Sequence, residues 1–539
     1  MVENTLLYRE IRVPAFHNES FCVMSAIRHM IPDDYIVALI PVLLWMTAGG
    51  EKNLSLFTKK REEKCDDGGM GCIFTMFPSR VVYGTIHANS LFSSLSLRRS
   101  FKELTMERHS QLDVLDVFRV IAVMWVIVNH TGSEGRLDVL DRLPSGDKFK
   151  ESVHNNLIFG PLLGNSALGV EIFLVLSGLL AARSWFRKAD EPFVLHYRTF
   201  IIRRVLRLAP SVFFFIYIAA GPITQHFLPR YHTTMISACG VSGIAAHLTF
   251  LGNWQSAPTC MGYLWYLGLD MQLYLMAPFL LHALYKMPTI GKMAATAMIV
   301  VSMFIRAGYC SAYGVCHKSD VDIPFIFYPG QDPQTLASIY AGLWEMYARP
   351  YTKCGPFILG LLVGVATINL RPCLSRAVSR RIAAACCALC IAVIYAILPQ
   401  YWYGDLFYSF NLYYTAMFRT VFAVGVCGMI LAVTTRLESK SMPVAWSVLA
   451  RLTFNTYLLH MPVIYLFNHS QFLQQATGAV ELIIVVPFVA AVSFAAASVL
   501  YFFVEAPVGH VTSNWAQGVD GVLLTTFSRL CSILRYYLV

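Results

Sequence analysis

What most constrains this chain is the recurrence of apolar blocks about as long as a lipid bilayer is thick. A helix crossing the hydrocarbon needs roughly 20 mostly apolar residues, and such blocks recur from Val114 to Pro507. Inside lipid every backbone N–H and C=O must find its partner within the protein, so such a block is a helix. A closed barrel would need alternating strands of about ten residues, and these runs do not alternate. The predicted fold class is all-α, a polytopic transmembrane helical bundle. Ten core spans are predicted, at about 114–133, 165–186, 210–226, 261–284, 293–313, 355–370, 382–400, 418–434, 445–467 and 481–504. A further N-terminal membrane segment is expected near 35–49, where the apolar run is short for a span.

Three regions follow. Residues 1–110 read as an N-terminal region ending in a cytosolic linker, 111–508 as the membrane domain, and 509–539 as a cytosolic tail. Phe527, Leu530, Ile533 and Leu534 with Arg529 and Arg535 give that tail the pattern of an interfacial helix.

Charge sets the orientation. A formal net charge of +10 does not point to nucleic acid, because the basic residues sit in short loops beside apolar runs and form no single patch. If 114–133 runs outward, the loops 187–208, 285–292, 371–381 and 435–444 return to the cytosol, and they hold most of the Lys and Arg of the membrane domain. The expectation is a multi-pass protein of the endoplasmic reticulum or plasma membrane, its N-terminus luminal or exterior and its C-terminus cytosolic. Sequons at Asn18 and Asn468 then face outward and one at Asn53 inward. The outward loops hold Cys239, Cys260, Cys310, Cys316 and Cys354, where disulfides can form. No metal-type spacing is present, and Cys386, Cys387 and Cys390, within an apolar run, read as small hydrophobes. No internal repeat is visible, which argues against an inverted-repeat transporter.

An ionisable group inside a span is costly and marks a functional site by default. Arg119 and His130 are eleven positions apart in the first core span. Eleven helical residues make about three turns and rise roughly 16 Å, so both side chains share a face. Arg119 then lies near the cytosolic boundary and His130 near mid-membrane. The bland alternative pairs Arg119 with Asp116 and makes His130 a hydrogen-bonded core histidine. Glu171, roughly 18 Å outward of Arg183, lies at a similar depth. A carboxylate there would fix the imidazole's tautomer and raise its basicity. Ser177 and Gly178, in the same span, suit close helix packing or substrate contact.

At the cytosolic mouth of the third span stand Arg203, Arg204 and Arg207. Arg204 and Arg207 are helical neighbours, and guanidinium forks bind phosphate bidentately. Lipid head groups are the competing ligand. Asp270 and Gln272 lie in the fourth span, Asp270 roughly 24 Å outward of Lys286, where a carboxylate suits an acceptor entering from the exterior. His460 lies about 13 Å from Arg451, either structural or lining a substrate site.

At these residues the chain resembles acyltransferase family 3 of integral membrane proteins, and within it the nose-resistant-to-fluoxetine branch. Arg119 and His130 match that family's Arg/Lys-x10-His motif, and Gly169–Leu180 is similar to its Gly-Val-Asp-Leu-Phe-Phe-x-x-Ser-Gly-Phe-Leu segment. Arg204-Val-Leu-Arg207 matches its Arg-x-x-Arg motif, and Trp265–Pro278 resembles its Trp-x-Leu…Asp/Glu-x-Gln-x-Tyr…Pro block. Departures are Glu171 where Asp is usual, Leu174 for the second Phe, and Met461 where Pro follows the His. The resemblance implies an enzyme that takes acyl groups from cytosolic acyl-CoA, with no metal, and passes them to a hydroxyl acceptor among lipids, sugars or small molecules. On that expectation Arg203, Arg204, Arg207 and Ser177 contact the donor. His130 is the general base, Glu171 orients it, and Arg119 stabilises donor charge or the oxyanion. Asp270, Gln272 and His460 line the acceptor site. A lipid or xenobiotic transporter, or a binding protein of the same fold without transferase activity, is the alternative.

Overall fold

The computed structural model describes residues 96–106, 112–132, 152, 154–165, 167–256, 260–318, 333–369, 373–436, 443–468 and 479–510. The expected N-terminal segment near 35–49, most of the linker, the tail 511–539 and the sequons at Asn18 and Asn53 lie outside these residues, while the described end of the linker, read as lacking a periodic pattern, forms a nine-residue helix. The principal helices are α1 (Leu97–Thr105), α2 (Val114–Gly132), α3 (Leu168–Phe186), α4 (Phe193–Ala219), α5 (Trp265–Lys286) and α6 (Pro288–Ala312). They continue with α7 (Pro333–Ala348), α8 (Pro350–Asn369), α9 (Arg376–Tyr395), α10 (Tyr408–Thr434), α11 (Val444–Phe467) and α12 (Ala479–Leu500). Among the described residues there is no strand, only an isolated bridge between Leu374 and Arg436.

Each of the ten predicted spans overlaps one of these helices, although the third, 210–226, runs past the end of α4 at Ala219 into a separate short helix, Pro222–Phe227. Among the described residues, seven stretches are long and apolar enough to cross a membrane by length and composition, and one of them, Arg376–Thr434, contains both α9 and α10. The fold is a helical membrane bundle. Large apolar side chains on its outside, such as Phe279, Met293, Phe304 and Phe488, are exposed, as a lipid-facing surface requires.

The third span differs from expectation. Its helix starts at Phe193, well before 210, and carries Arg203, Arg204 and Arg207 along its first half. Leu and Arg are good helix formers, so the basic segment continues the helix where polarity alone suggested a loop. Helix α7 was not anticipated; at 16 residues it is shorter than a span.

The main apolar core joins α2, α3, α8, α9 and α10 through Ala122, Val175, Leu179, Val363, Ile394 and Phe422. At its centre α3 and α8 touch backbone to backbone. A Cβ at Gly178 would strike the Phe357 carbonyl, and one at Gly360 would strike the Val175 carbonyl. Gly178 is therefore a packing residue. Disulfides join Cys239 to Cys260 and Cys310 to Cys316, while Cys354 is free and buried. Cys390 packs within the main core. Asn468, at the end of α11, is fully buried in the folded chain and presents no accessible glycan acceptor.

Candidate active site

Two helices bring a pair of imidazoles together deep in the bundle. His130 comes from the last turn of α2 and His460 from α11; they are 5% and 0% exposed. Their rings stack at 4.9 Å, and His130 Nδ1 lies 2.7 Å from His460 Nε2. The other nitrogen of His460, Nδ1, is 2.6 Å from the Tyr457 carbonyl. A carbonyl only accepts, so His460 Nδ1 carries the proton and donates it to Tyr457 O. In the neutral ring Nε2 is then an acceptor, and His130 Nδ1–H donates to it. The same rule puts the basic lone pair of neutral His130 on Nε2. The tautomer follows from the hydrogen-bond chain, and that chain begins at a helix carbonyl that cannot reverse.

The orienting partner expected for His130 was Glu171, and the structure corrects this. Glu171 is fully buried, and its Oε1 accepts from Lys353 Nζ at 2.5 Å and from Arg419 at 2.7 Å. The start of α3 packs against Ala122, Trp125 and Val126 of α2, short of His130, and the carboxylate faces α8 and α10. Stacked on this cluster, Tyr347 lies under both cations, 4.5 Å from Lys353 and 5.2 Å from Arg419. Nearby, Arg306 donates to the Thr415 carbonyl at 2.7 Å. Sequence reasoning missed Lys353, Arg419 and Arg306. The signal was available, since each is a cation within or beside an apolar run.

Asp270 is also placed differently from expectation. It accepts from Ser177 Oγ at 2.5 Å and forms an ion pair with Arg204, whose guanidinium lies 4.7 Å over the Tyr274 ring. Asp270 is a partner of the arginine helix, occupied by Arg204 and Ser177, and not an open outward-facing acceptor contact. Gln272 is likewise structural. Its amide donates to Phe250 O and Asn253 Oδ1 and accepts from Asn253 and Trp254, at 2.7–3.1 Å. It fastens the turn at Phe250, which has a φ of 60°, and has no hydrogen-bonding capacity left for a substrate. Arg119 pairs with Asp116 at 2.6 Å, and Asp116 accepts from Ser447. With roughly 16 Å of helix between Arg119 and His130, Arg119 does not reach an oxyanion formed at His130.

The Arg-x-x-Arg pair divides its work. Arg204 is clamped to Asp270, whereas Arg207 has no hydrogen bond or ion pair among the described residues and lies in electrostatic range of Arg204, Arg119 and Glu505. Arg203 and Arg207 line a cavity of about 730 Å³ together with Arg99, Glu103, Glu505 and His510. This volume suits a small-molecule ligand. Neither His130 nor His460 lines it. On its rim, partial burial opposes the charge of Glu103, but hydrogen bonds from His510 and Arg99 prevail and hold that carboxyl below its ordinary value.

The chain is 55% identical over 502 residues, 93% of each chain, to "Regulator of hypoxia-inducible factor 1" of Caenorhabditis elegans. It is 26% identical over 408 residues to "Nose resistant to fluoxetine protein 6" of the same organism, covering 67% of this chain and 46% of that one. It is also 26% identical over 182 residues to YrhL of Bacillus subtilis (strain 168), provisionally named as a peptidoglycan O-acetyltransferase, covering 31% of this chain and 25% of that one. No solved structure matches. The acyltransferase domain of family 3 matches residues 112–502, which include the histidine pair, the Glu171 cluster and the arginine helix, and the chain belongs to this family of membrane acyltransferases.

Proposed function

We propose that this protein transfers an acyl group from a cytosolic acyl-CoA to a hydroxyl acceptor, a lipid, sugar or small molecule, within the bilayer or at its far face. The observation that carries this reading is the buried His130–His460–Tyr457 chain, which holds a neutral His130 in the tautomer whose basic nitrogen is Nε2. An imidazole held in one tautomer is what a general base for a hydroxyl needs. His130 Nε2 takes the acceptor's proton as its oxygen attacks the thioester carbonyl. The tetrahedral intermediate collapses, the C–S bond breaks, and the CoA thiolate leaves. The proton on His130 returns to that thiolate, giving CoA and the ester. His460 is a positioning residue in this scheme, with Glu171, Lys353 and Arg419 bracing the helices around it.

Arginines in the 730 Å³ cavity support donor phosphates at the cytosolic end. Helix α2 connects that end to His130, and an extended pantetheine arm has the reach to follow it. The orientation is supported by the positive-inside bias and by the disulfides Cys239–Cys260 and Cys310–Cys316 in the loops expected outside. The test is acyl transfer from labelled acyl-CoA in membranes carrying His130→Ala. Transfer should fall to background while CoA binding persists; transfer at the wild-type rate overturns the mechanism.

A further inference from the structure

The cavity next to Arg207 is only partly built by the family domain. That domain spans 112–502, yet Arg99 and Glu103 come from helix α1 before it, and Glu505 and His510 from the chain after it. We infer that α1 is part of the donor site and that Arg99 contacts a phosphate of the acyl-CoA, an inference that rests on the donor reading above.

Helix α1 is firmly seated. Ser96 caps its first turn by accepting from Arg99 N. The Arg451 guanidinium donates to the carbonyls of Glu103, Leu104 and Met106, which satisfies the last turn. Leu104 is buried against Leu452, Ala497, Tyr501 and Ala506, and Phe101 stacks on Phe502 at 6.4 Å. His510 Nε2 contacts Glu103 Oε2 at 2.6 Å, tying the segment before the domain to the segment after it. The position of α1 is thus set by Arg451 of α11 and by His510 of the segment after the domain.

Arg99 is the side chain this docking delivers to the cavity. Its Nε is held by Glu103 at 3.0 Å, which aims the guanidinium, while its terminal nitrogens make no hydrogen bond among the described residues. Opposite stand Arg203 and Arg207, both exposed to the cavity. Of the two carboxylates in the wall, Glu103 is engaged by Arg99 and His510, and Glu505 accepts from Asn455 at 2.7 Å. The set suits a ligand with more than one phosphate, each taken by a planar fork. A phosphorylated lipid head group shares that chemistry, and the test separates the two.

Full-length protein in nanodiscs of neutral lipid is titrated with CoA by calorimetry, using the wild type, Arg99→Ala, Arg207→Ala and, as a control on the same helix, Arg98→Ala. Loss of a charge-assisted hydrogen bond should weaken CoA binding by about tenfold or more in Arg99→Ala. Arg98→Ala should bind as the wild type does, and thermal unfolding of Arg99→Ala should be unchanged. Wild-type CoA affinity in Arg99→Ala, with binding lost in Arg207→Ala, overturns the role of α1 and leaves the donor reading standing. If the wild type itself binds no CoA, the donor reading falls and this inference with it. If Arg99→Ala instead reduces binding to vesicles containing a phosphoinositide and not to CoA, the cavity is a lipid site and the inference is wrong.

Discussion

Replacing His460 by Phe removes the acceptor used by His130 Nδ1–H while keeping an aromatic ring in a fully buried position. The His130–His460 contact is 2.7 Å and shielded from solvent. Taking away one partner of such a buried bond costs about 1–3 kcal/mol. If that cost falls on the reactive tautomer or its orientation, it becomes a drop in kcat of roughly 5- to 150-fold, since about 1.4 kcal/mol is tenfold. The upper bound is the roughly 10²–10⁴ that a general base contributes altogether. His460→Gln should retain most activity, because its amide can accept from His130 and donate to Tyr457 O. The assay is CoA release by purified protein in nanodiscs, with kcat and KM resolved and the pH profile recorded. The relay predicts a lowered kcat for Phe at nearly unchanged KM, with a shifted profile, and rescue by Gln. Wild-type kcat in His460→Phe, or a folded His460→Gln as inactive as Phe, would refute the relay.

Other consequences can be measured directly. Glu171→Gln leaves Lys353 and Arg419 buried without their shared carboxylate, so thermal unfolding in detergent should show a loss of about 3–5 kcal/mol. A variant as stable as the wild type would remove Glu171 from the brace. Gly360→Ala forces a methyl into the Val175 carbonyl and should destabilise by about 1–3 kcal/mol, whereas Gly308→Ala, with open space around it, should not. The folded-state carboxyl of Glu103 lies below its unfolded value of about 4.5. Its contribution to α1 docking is therefore complete above that value and lost as pH falls through the depressed one. The protection of amides 97–105, corrected for the intrinsic exchange rate at each pH, should fall as pH drops below the ordinary carboxyl range, and constant protection would contradict the Glu103–His510 tie.

Much of the frame was legible because bilayer thickness fixes helix length; each predicted span overlaps a helix. Counting from Arg183 and Arg451 put Glu171 and His460 at one depth with His130, and the structure brings only His460 to that ring. The start of α3 packs against Ala122, Trp125 and Val126, short of His130 along α2, and Glu171 faces α8 and α10 because its partners come from residues 353 and 419. The histidine pair is separated by 330 positions, a contact that no local spacing encodes. Asp270 read as an isolated carboxylate because its partner Arg204 is 66 residues upstream. The motif around Gln272 flagged the right segment, but its amide is spent on a turn.

The seam at Gly178 and Gly360 has a mechanical consequence. Where main chains abut with no side chain between them, sliding or rotation would drive carbonyl oxygens into alpha carbons, so α3 and α8 act as one thick rod. Ser177 and Glu171 ride on one half of that rod and Lys353 on the other. Any opening between helices must therefore hinge elsewhere in the bundle.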